Sequence, residues 1–511
     1  MMYNNLNDLE NWLWEAACVI RGEIDAPKYK DFILPLIFVK RLSDVFEDEL
    51  LEINNDIDVA LVIVESDHTL VRFYIPEKAR WSNIQKQNTN LGEYLTDAMR
   101  DLARENPKLQ GVVDTIDFNQ SISGQRTISD ENLKKLINVL SRKRLGLKDV
   151  DPDILGRAYE YLLRKFAEGS GQSAGEFYTP MEVAELMGHI IDPEPGEEIY
   201  DPACGTAGLL IKTNIRFKEK YGNDPGIESL KFYGQEINRS TYAMAKMNVF
   251  IHDMEADIAI GDTMLNPAFK INENNIYRLR KFNKVTANPM WNQKFNQDIY
   301  LNDPFNRFTF GIPPNNSADW GWIQHMYSSL KDNGKLVVVI DTGAVTRGSG
   351  IEGSNREKEI RKKFVENDLV EAVILLPDNL FYNTTAPGVI IVINKNKINK
   401  NMILMINASK MFKKGRPKNF IPEDKVKEIF SIYKEWKEVT GISKIVSLDE
   451  IIKADYNLSP SRYVLQDEKE ELIPIEDIIV ELREIEEERQ KNDAILNEIL
   501  KNLGYEGYKN E

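Results

Sequence analysis

Between residues 197 and 394, short apolar segments alternate with amphipathic helical segments, and this alternation restricts the chain to few folds. The segments that read as strands are, in order, EEIY, KFYGQE, ADIAIGD, KVTANP, GKLVVVI, LVEAVILLP and GVIIVIN. The helical segments include GLLIKTNIRFKEKY and one with Ala243, Met247, Phe250 and Ile251 on one side. Strands that are joined by helices pair in parallel. The pattern therefore predicts an α/β domain with a mainly parallel sheet.

A helical region is predicted before this domain and a long helix after it. In residues 1–168 the segment LNDLENWLWEAACVI carries one apolar helix face, formed by Leu9, Leu13, Ala16, Ala17 and Ile20. The polar stretch EGSGQSAG, residues 168–175, predicts a boundary, so we expect the sheet domain over 169–420. Residues 421–475 are expected to form an irregular connecting region.

Residues 476–511 follow a heptad pattern, which predicts a helix that packs either on its own domain or on a helix of a partner. The length of the pattern favours a partner. The seam consists of Ile478, Leu482, Ile485, Arg489, Asn492, Leu496, Ile499 and Leu503.

Charge and composition exclude several classes of protein. The formal net charge of −16 argues against a chain that binds nucleic acid alone, because phosphate contacts need clustered Lys and Arg. The exception is KMFKKGRPK, residues 410–418, which is either a solvated loop or a phosphate contact. Two cysteines and four scattered histidines give no metal-ligand spacing. Since neither an export signal nor an apolar run of about 20 residues is found, we expect a cytoplasmic protein without a membrane span.

Three successive strands end in a carboxylate. DPACGTAGLL begins at Asp201, directly after EEIY, and turns through Gly205 and Gly208 into a helix. KFYGQE ends at Glu236 and ADIAIGD ends at Asp262. Because the carboxyl ends of parallel strands lie at one edge of a sheet, the three carboxylates are predicted to face one ligand. Glu236 is expected on ribose hydroxyls and Asp262 on an adenine amino group.

The glycine turn indicates which ligand this is. It lacks the Lys and Ser or Thr of a phosphate-binding P-loop and the three glycines of the dinucleotide fingerprint. An acidic side chain beside the turn suits a ligand with an ammonium group, such as the methionine part of S-adenosylmethionine. We therefore predict S-adenosyl-L-methionine as the cofactor.

The fourth strand continues into ANPMWNQKF, residues 287–295. A nucleobase amino group is a poor nucleophile, so an enzyme that methylates it has to hold its hydrogens with acceptors. Asn288 offers a side-chain oxygen and Pro289 a carbonyl in a stiffened turn. A base in a duplex has to be flipped out to reach them, and Trp291 offers a face on which it can stack. The stretch predicts methyl transfer to a base by in-line displacement.

Longer motifs add a resemblance. GEFYTP at residues 175–180, DPACGTAG, GQE and NPMW resemble, in this order, the amino-methylating DNA methyltransferases. The stretches at residues 13–44 and 376–394 resemble the modification (M) subunit of type I restriction-modification systems, and the likeness covers nearly the full chain. The resemblance implies a Rossmann-like, S-adenosylmethionine-dependent methyltransferase sheet domain of α/β class, an α-helical N-terminal domain and a C-terminal helical tail.

The same resemblance implies an activity and partners. The activity is methylation of the N6 amino group of adenine in duplex DNA. The partners are a specificity (S) subunit bound through the C-terminal helix, a second copy of the chain in an M2S complex, and an optional restriction (R) subunit. Together with the strand-end residues, the predicted cofactor-binding set is Glu176, Phe177, Tyr178, Thr179, Pro180, Met181, Asp201, Gly205, Thr206, Ala207, Gly208, Glu236 and Asp262. The predicted catalytic set is Asn288, Pro289, Met290 and Trp291.

One motif departs from the family pattern, and two alternatives stay open. The usual Asn-Pro-Pro followed by Phe or Tyr is here Asn-Pro-Met-Trp, which keeps the acceptor pair and enlarges the aromatic face. A protein methyltransferase that acts on a glutamine side-chain amide would use a similar motif. A catalytically weak scaffold subunit is the other alternative, and Met290 is the residue that suggests it.

Overall fold

The predicted strands join one nine-stranded sheet in the computed structural model. The structure describes residues 6–20, 29–122, 125–150, 155–156, 158–162, 165, 179–222, 224, 226–273, 276–350, 355–382, 384–416, 418–464 and 493. The strands are β1 (Ser121–Ile122), β2 (Gln125–Arg126), β3 (Glu198–Asp201), β4 (Lys231–Glu236), β5 (Ala256–Ile260), β6 (Lys270–Glu273), β7 (Ile276–Leu279), β8 (Phe282–Ala287), β9 (Leu330–Asp341), β10 (Val370–Leu375), β11 (Gly388–Asn394), β12 (Met402–Asn407) and β13 (Ser443–Ser447).

The order across the sheet is β13-β12-β10-β11-β9-β8-β3-β4-β5. Strands β5, β4, β3, β8 and β9 run parallel to one another, and β10 is parallel to β12. Strand β11 is antiparallel to both of its neighbours, and β13 is antiparallel to β12. The prediction of a mainly parallel sheet is confirmed. From β3 the chain proceeds outward to β4 and β5 and then returns to β8 on the other side of β3, which makes the gap between β3 and β8 the switch point of the sheet.

Helices cover the sheet and build the N-terminal region. They are α1 (Leu6–Val19), α2 (Tyr29–Ile53), α3 (Ile57–Ser66), α4 (Trp81–Lys86), α5 (Leu91–Glu105), α6 (Asp130–Leu140), α7 (Met181–Ile191), α8 (Gly208–Tyr221), α9 (Arg239–Ile251), α10 (Gln297–Leu301), α11 (Asp319–Ser328), α12 (Gly343–Thr346), α13 (Arg356–Glu366), α14 (Glu423–Glu435) and α15 (Leu448–Lys453). Among the described residues, none of these helices combines the length and the apolar character that a membrane crossing requires.

The N-terminal helices share a core with the sheet domain. The predicted face of α1 is buried, since Leu9, Leu13, Ala16, Ala17 and Ile20 are at most 1% exposed. These residues belong to one apolar cluster that also contains Met247 and Ile251 of α9. Between the two regions, the ring centroids of Phe38 and Phe250 lie 5.2 Å apart. The helical region is therefore packed on the sheet domain and is part of one compact unit with it.

The structure corrects the expectation for residues 421–475. Up to residue 464 this region is ordered: α14 and α15 flank β13, which pairs with β12 from Met402↔Ser447 to Ile406↔Ser443. The sequence signal was weak because β13 is an edge strand, of which only Ser443 and Val446 are buried. The sheet domain thus extends past residue 420. Residues 465–475, the segment 168–175 and the heptad segment 476–511, apart from Asp493, lie outside the described residues.

Candidate active site

The two predicted motifs lie side by side at the switch point of the sheet. Strands β3 and β8 are paired in parallel, with Tyr200 opposite Val285, so Asp201 and Asn288 follow at the same edge. The loops after the two strands lead to opposite halves of the sheet and leave a crevice between them. This is the place where open α/β sheets bind their ligands.

The glycine turn after β3 is held in a left-handed backbone conformation. Gly205 has φ +54° and Ala207, at the start of α8, has φ +67°. The Cys204 N–H donates to the Gln235 carbonyl at 3.0 Å, which ties the turn to β4. A Cβ atom at Gly205 or Gly208 would meet no atom of the described residues within 4 Å, so among these residues both glycines face open space. This space allows a ligand to approach the backbone closely.

Glu236 fixes the turn from the next strand. Its Oε2 accepts the Gly205 N–H at 3.0 Å and its Oε1 accepts the Asn238 N–H at 2.8 Å. These two bonds tie the Glu236 carboxylate to the turn after β3 and to the start of α9. Glu236 therefore holds the glycine turn in place.

Asp201 is the buried carboxylate of the site. Its side chain is 1% exposed, and it accepts the Ala203 N–H at 3.0 Å. Burial, helped by the nearby charge of Glu236, raises the pKa of Asp201 to about 8. A cation beside this carboxylate would favour its ionised form. The chemistry of the position fits an ammonium group.

Asp262 occupies a turn directly after β5. Its Oδ1 accepts the N–H groups of Met264 and Leu265 at 2.8 and 3.1 Å. The neighbouring Thr263 hydroxyl donates to the Pro202 carbonyl at 2.6 Å. This bond brings the loops after β3 and β5 together, so the three predicted carboxylates lie around connected loops.

Asn288 is oriented by two side-chain hydrogen bonds. It is 6% exposed; its Nδ2 donates to the Thr179 hydroxyl at 3.0 Å, and its Oδ1 accepts from the Trp291 indole Nε1 at 3.1 Å. The first bond links the end of the FYTP motif to the Asn-Pro motif. Pro289 is buried, whereas Met290 is 40% exposed, so the residue that departs from the family pattern faces solvent.

Trp291 packs against a segment to which the sequence motifs assign no role in the site. Its ring centroid lies 4.7 Å from that of Phe381, with the planes at 65°. A Cβ atom at Gly388 would lie 3.0 Å from Trp291 and 2.8 Å from Phe381, so only glycine leaves room for this pair. Phe381 and Gly388 belong to the stretch 376–394, which resembles the M subunit family. That resemblance was the sequence signal from which their part in the site could have been inferred.

A second missed group supports the loop after β8. The carboxylate of Asp319, which is fully buried, accepts the Asn292 N–H at 2.9 Å. Arg347 donates to Asp319 and Glu357, to Asp341 at 2.9 Å and to the Asn292 side chain at 3.0 Å. These carboxylates hold the pKa of Arg347 above its usual value. The network fixes the loop that carries Asn288 and Trp291.

The remaining predicted residues flank this crevice. Pro180 directly precedes α7, which begins at Met181. The Thr206 carbonyl accepts from the Asn248 side chain at 2.9 Å. Glu176, Phe177 and Tyr178 lie outside the described residues.

Comparison with known proteins decides between the alternatives. The N-6 DNA methylase family matches residues 150–472, and the HsdM N-terminal domain matches residues 9–140. The chain is 34% identical over 495 residues to the type I restriction enzyme MjaVIII methylase subunit of Methanocaldococcus jannaschii, covering 93% of this chain and 81% of that one. The chain belongs to the methylase subunits of type I restriction enzymes. These are N6-adenine DNA methyltransferases, as the family resemblance implied.

Two further relatives of this methylase subunit agree. The HindI methylase subunit of Haemophilus influenzae is 30% identical, over 85% of this chain and all of that one. A type I methyltransferase subunit of Streptococcus thermophilus has a crystal structure that is 28% identical, with a TM-score of 0.76 over 90% of this chain and 100% of that chain. The predicted fold class is confirmed, and the DNA methylase interpretation is favoured over the protein glutamine methyltransferase.

Proposed function

We propose that this methylase subunit carries out N6-adenine methylation in the crevice between the loops after β3 and β8, with S-adenosyl-L-methionine beside β3 and the flipped adenine beside β8. The observation that carries the proposal is the pairing of these two strands, which puts the carboxylate of Asp201 and the acceptors of Asn288 and Pro289 at one edge. Cofactor and base can then meet without any movement of the sheet.

The residues around the glycine turn fit S-adenosyl-L-methionine, which when bound supplies a methyl group on a positively charged sulfur. Asp201 would accept from its ammonium group, because a buried carboxylate is best satisfied by a charged donor. Glu236 would accept from the ribose hydroxyls, and Asp262 from the adenine amino group. Gly205 and Gly208 leave the space in which the ligand would lie.

On the other side of the crevice, Asn288 and Pro289 would hold the two hydrogens of the target amino group. The Asn288 side-chain oxygen and the Pro289 carbonyl accept one hydrogen each, which lets the nitrogen become pyramidal and directs its lone pair at the methyl group. The bond from the Asn288 Nδ2 to the Thr179 hydroxyl would keep the amide nitrogen away from the base, so that the amide oxygen, which accepts from Trp291 in this structure, is the atom that meets it. Trp291 would offer its face to the flipped adenine once its N–H releases Asn288.

The partners follow from the family. The relatives are named as methylase subunits of type I restriction enzymes, so other chains complete those enzymes. We propose that the S subunit reads the DNA sequence, binds this chain through residues 476–511 and joins two copies of it in an M2S complex, to which an R subunit can add. A net charge of −16 supports this division, since an acidic chain needs a partner to grip duplex DNA.

The test measures methyl transfer by the whole complex. The chain is co-expressed with its S subunit and given labelled cofactor and unmodified duplex DNA; we expect label in N6-methyladenine. Asn288→Ala is expected to lower kcat by about 100-fold or more while cofactor affinity stays within about twofold, because Asn288 acts on the base alone. Label in protein and not in DNA, or full activity of the variant, would overturn the proposal.

A further inference from the structure

We infer that the hairpin at residues 410–420, named here the cationic hairpin, binds DNA phosphates next to the flipped base through Lys410, Lys413, Lys414 and Arg416. The inference rests on the proposed function, and it assigns a DNA contact to this chain in addition to the S subunit. It also decides between the two interpretations of KMFKKGRPK that the sequence leaves open.

The cationic hairpin has a defined backbone. Lys413 and Phe420 face each other across it, with the Lys413 N–H donating to the Phe420 carbonyl at 2.9 Å and the Phe420 N–H to the Lys413 carbonyl at 3.1 Å. Gly415 closes the turn, because a Cβ atom there would lie 2.3 Å from the Lys418 carbonyl oxygen. The cations are therefore presented on a built loop.

One of the five cations anchors the hairpin to the active site. The Lys418 ammonium donates to the Asn379 side chain at 3.1 Å and to the Thr384 carbonyl at 3.0 Å, and the Asn419 N–H donates to the Asn379 carbonyl at 3.0 Å. Asn379 and Thr384 lie in the segment that carries Phe381, whose ring packs against Trp291. The cationic hairpin is thus fixed to the segment that supports the proposed base-stacking residue.

The other four cations are exposed. Among the described residues, no ion pair within 4.0 Å involves Lys410, Lys413, Lys414 or Arg416, whereas many surface lysines of this acidic chain have a carboxylate partner. Lys414 and Arg416 line an open cleft of about 500 Å³ together with Phe412, Asn419 and Asp378. The Asp378 carboxylate accepts from the Asn419 side chain at 3.3 Å. One carboxylate beside two cations leaves the cleft positive, as a phosphate requires.

The position explains what such contacts would do. Phosphate contacts fix the register of a protein on a duplex and carry no base specificity. Flipping a base requires that the backbone on either side of it be held while the stack opens. Cations attached to the segment behind Trp291 can hold the strand there. The S subunit then supplies sequence reading, and the cationic hairpin supplies a local grip.

The experiment compares two triple variants of the chain in complex with its S subunit. Lys413→Gln, Lys414→Gln and Arg416→Gln remove three exposed cations of the hairpin. The control, Lys425→Gln, Lys427→Gln and Lys437→Gln, changes the net charge equally, but its lysines are paired with Glu428, Glu423 and Glu435. The dissociation constant of a short fluorescent duplex is measured at several salt concentrations, with thermal unfolding as the test of folding.

For the hairpin variant we expect the Kd for DNA to rise by about 10-fold or more. We also expect the slope of log Kd plotted against log salt concentration to fall by about 0.9 for each phosphate-contacting cation that is removed from each bound copy of the chain. Cofactor affinity stays unchanged, and the control keeps the wild-type slope. A hairpin variant that folds normally and keeps the wild-type slope overturns the inference, and so does a control that loses as much. Failure of the wild-type complex to methylate DNA would instead overturn the proposed function.

Discussion

The two sides of the crevice are held together in different ways. On the cofactor side, Glu236 and Asp262 accept backbone N–H groups, and these bonds fix the two carboxylates in place. On the target side, Asn288 is held by side chains, and its oxygen accepts from Trp291 where the base would bind. In the proposed mechanism the cofactor side is therefore preformed, whereas the target side has to exchange a hydrogen bond when the base enters.

The largest effect is expected from the network behind the target side. Arg347→Met should lower the free energy of unfolding by about 3–5 kcal/mol, because it leaves the buried carboxylates of Asp319 and Glu357 without their cation. Denaturant unfolding of the full chain, followed by tryptophan fluorescence, measures the change.

A matched control is Arg72→Met. Arg72 also pairs with two carboxylates, Glu49 and Asp253, but its side chain is 45% exposed, so we expect a loss of at most about 1 kcal/mol. Equal losses of unfolding free energy in the two variants would show that burial of the Arg347 network does not stabilise the target side.

The contrast also explains what the sequence could and could not predict. Only the shared location of four residues was predictable, because each lies at or just after the end of an apolar strand and parallel strands bring such residues to one edge. They are Asp201, Glu236, Asp262 and Asn288. The Arg347 network was not predictable, since Arg347, Asp319 and Asn292 come from three separate elements that meet only in the folded chain.

Local pattern fails in the same way at the edge of the sheet. Strand β13 pairs with β12 on one side only and exposes part of three of its five residues, so its apolar signal is too short to distinguish from a loop. The bond between Trp291 and Asn288 joins residues three apart, yet it depends on a turn geometry that the sequence letters do not specify. What was missed depends on tertiary contacts and not on periodicity.

The second prediction concerns the cofactor side. Asp201→Asn should weaken S-adenosyl-L-methionine binding by about 10- to 100-fold at pH above 8, because a hydrogen bond to a charged group is replaced by a neutral one. Since burial raises the pKa of Asp201 to about 8, the carboxyl is protonated at lower pH and has to lose this proton to bind a cation. Wild-type affinity should therefore fall about tenfold for each pH unit below 8.

Isothermal titration of both proteins over a range of about pH 6 to 9, which brackets the pKa of Asp201, measures this dependence. The amino group of the cofactor titrates alike in both experiments, so the difference between the two curves belongs to Asp201. Parallel curves would show that Asp201 does not bind the ammonium group. A loss of the pH dependence in the variant alone would place the ammonium beside it.

The smallest effect is expected where the target side has to rearrange. Trp291→Phe keeps an aromatic ring beside Phe381 but removes the indole N–H that occupies the Asn288 oxygen. Because Thr179 still orients the amide in this variant, we expect kcat within about threefold of wild type. Because the base no longer has to displace the indole N–H, we expect a lower KM for DNA.

Thr179→Val, which frees the amide to rotate, should lower kcat by about 3- to 10-fold. Steady-state methyl transfer by the two variants measures the effect of each bond separately. A larger loss of kcat in Trp291→Phe than in Thr179→Val would mean that the tryptophan holds Asn288 in its active position. The target side would then be as preformed as the cofactor side.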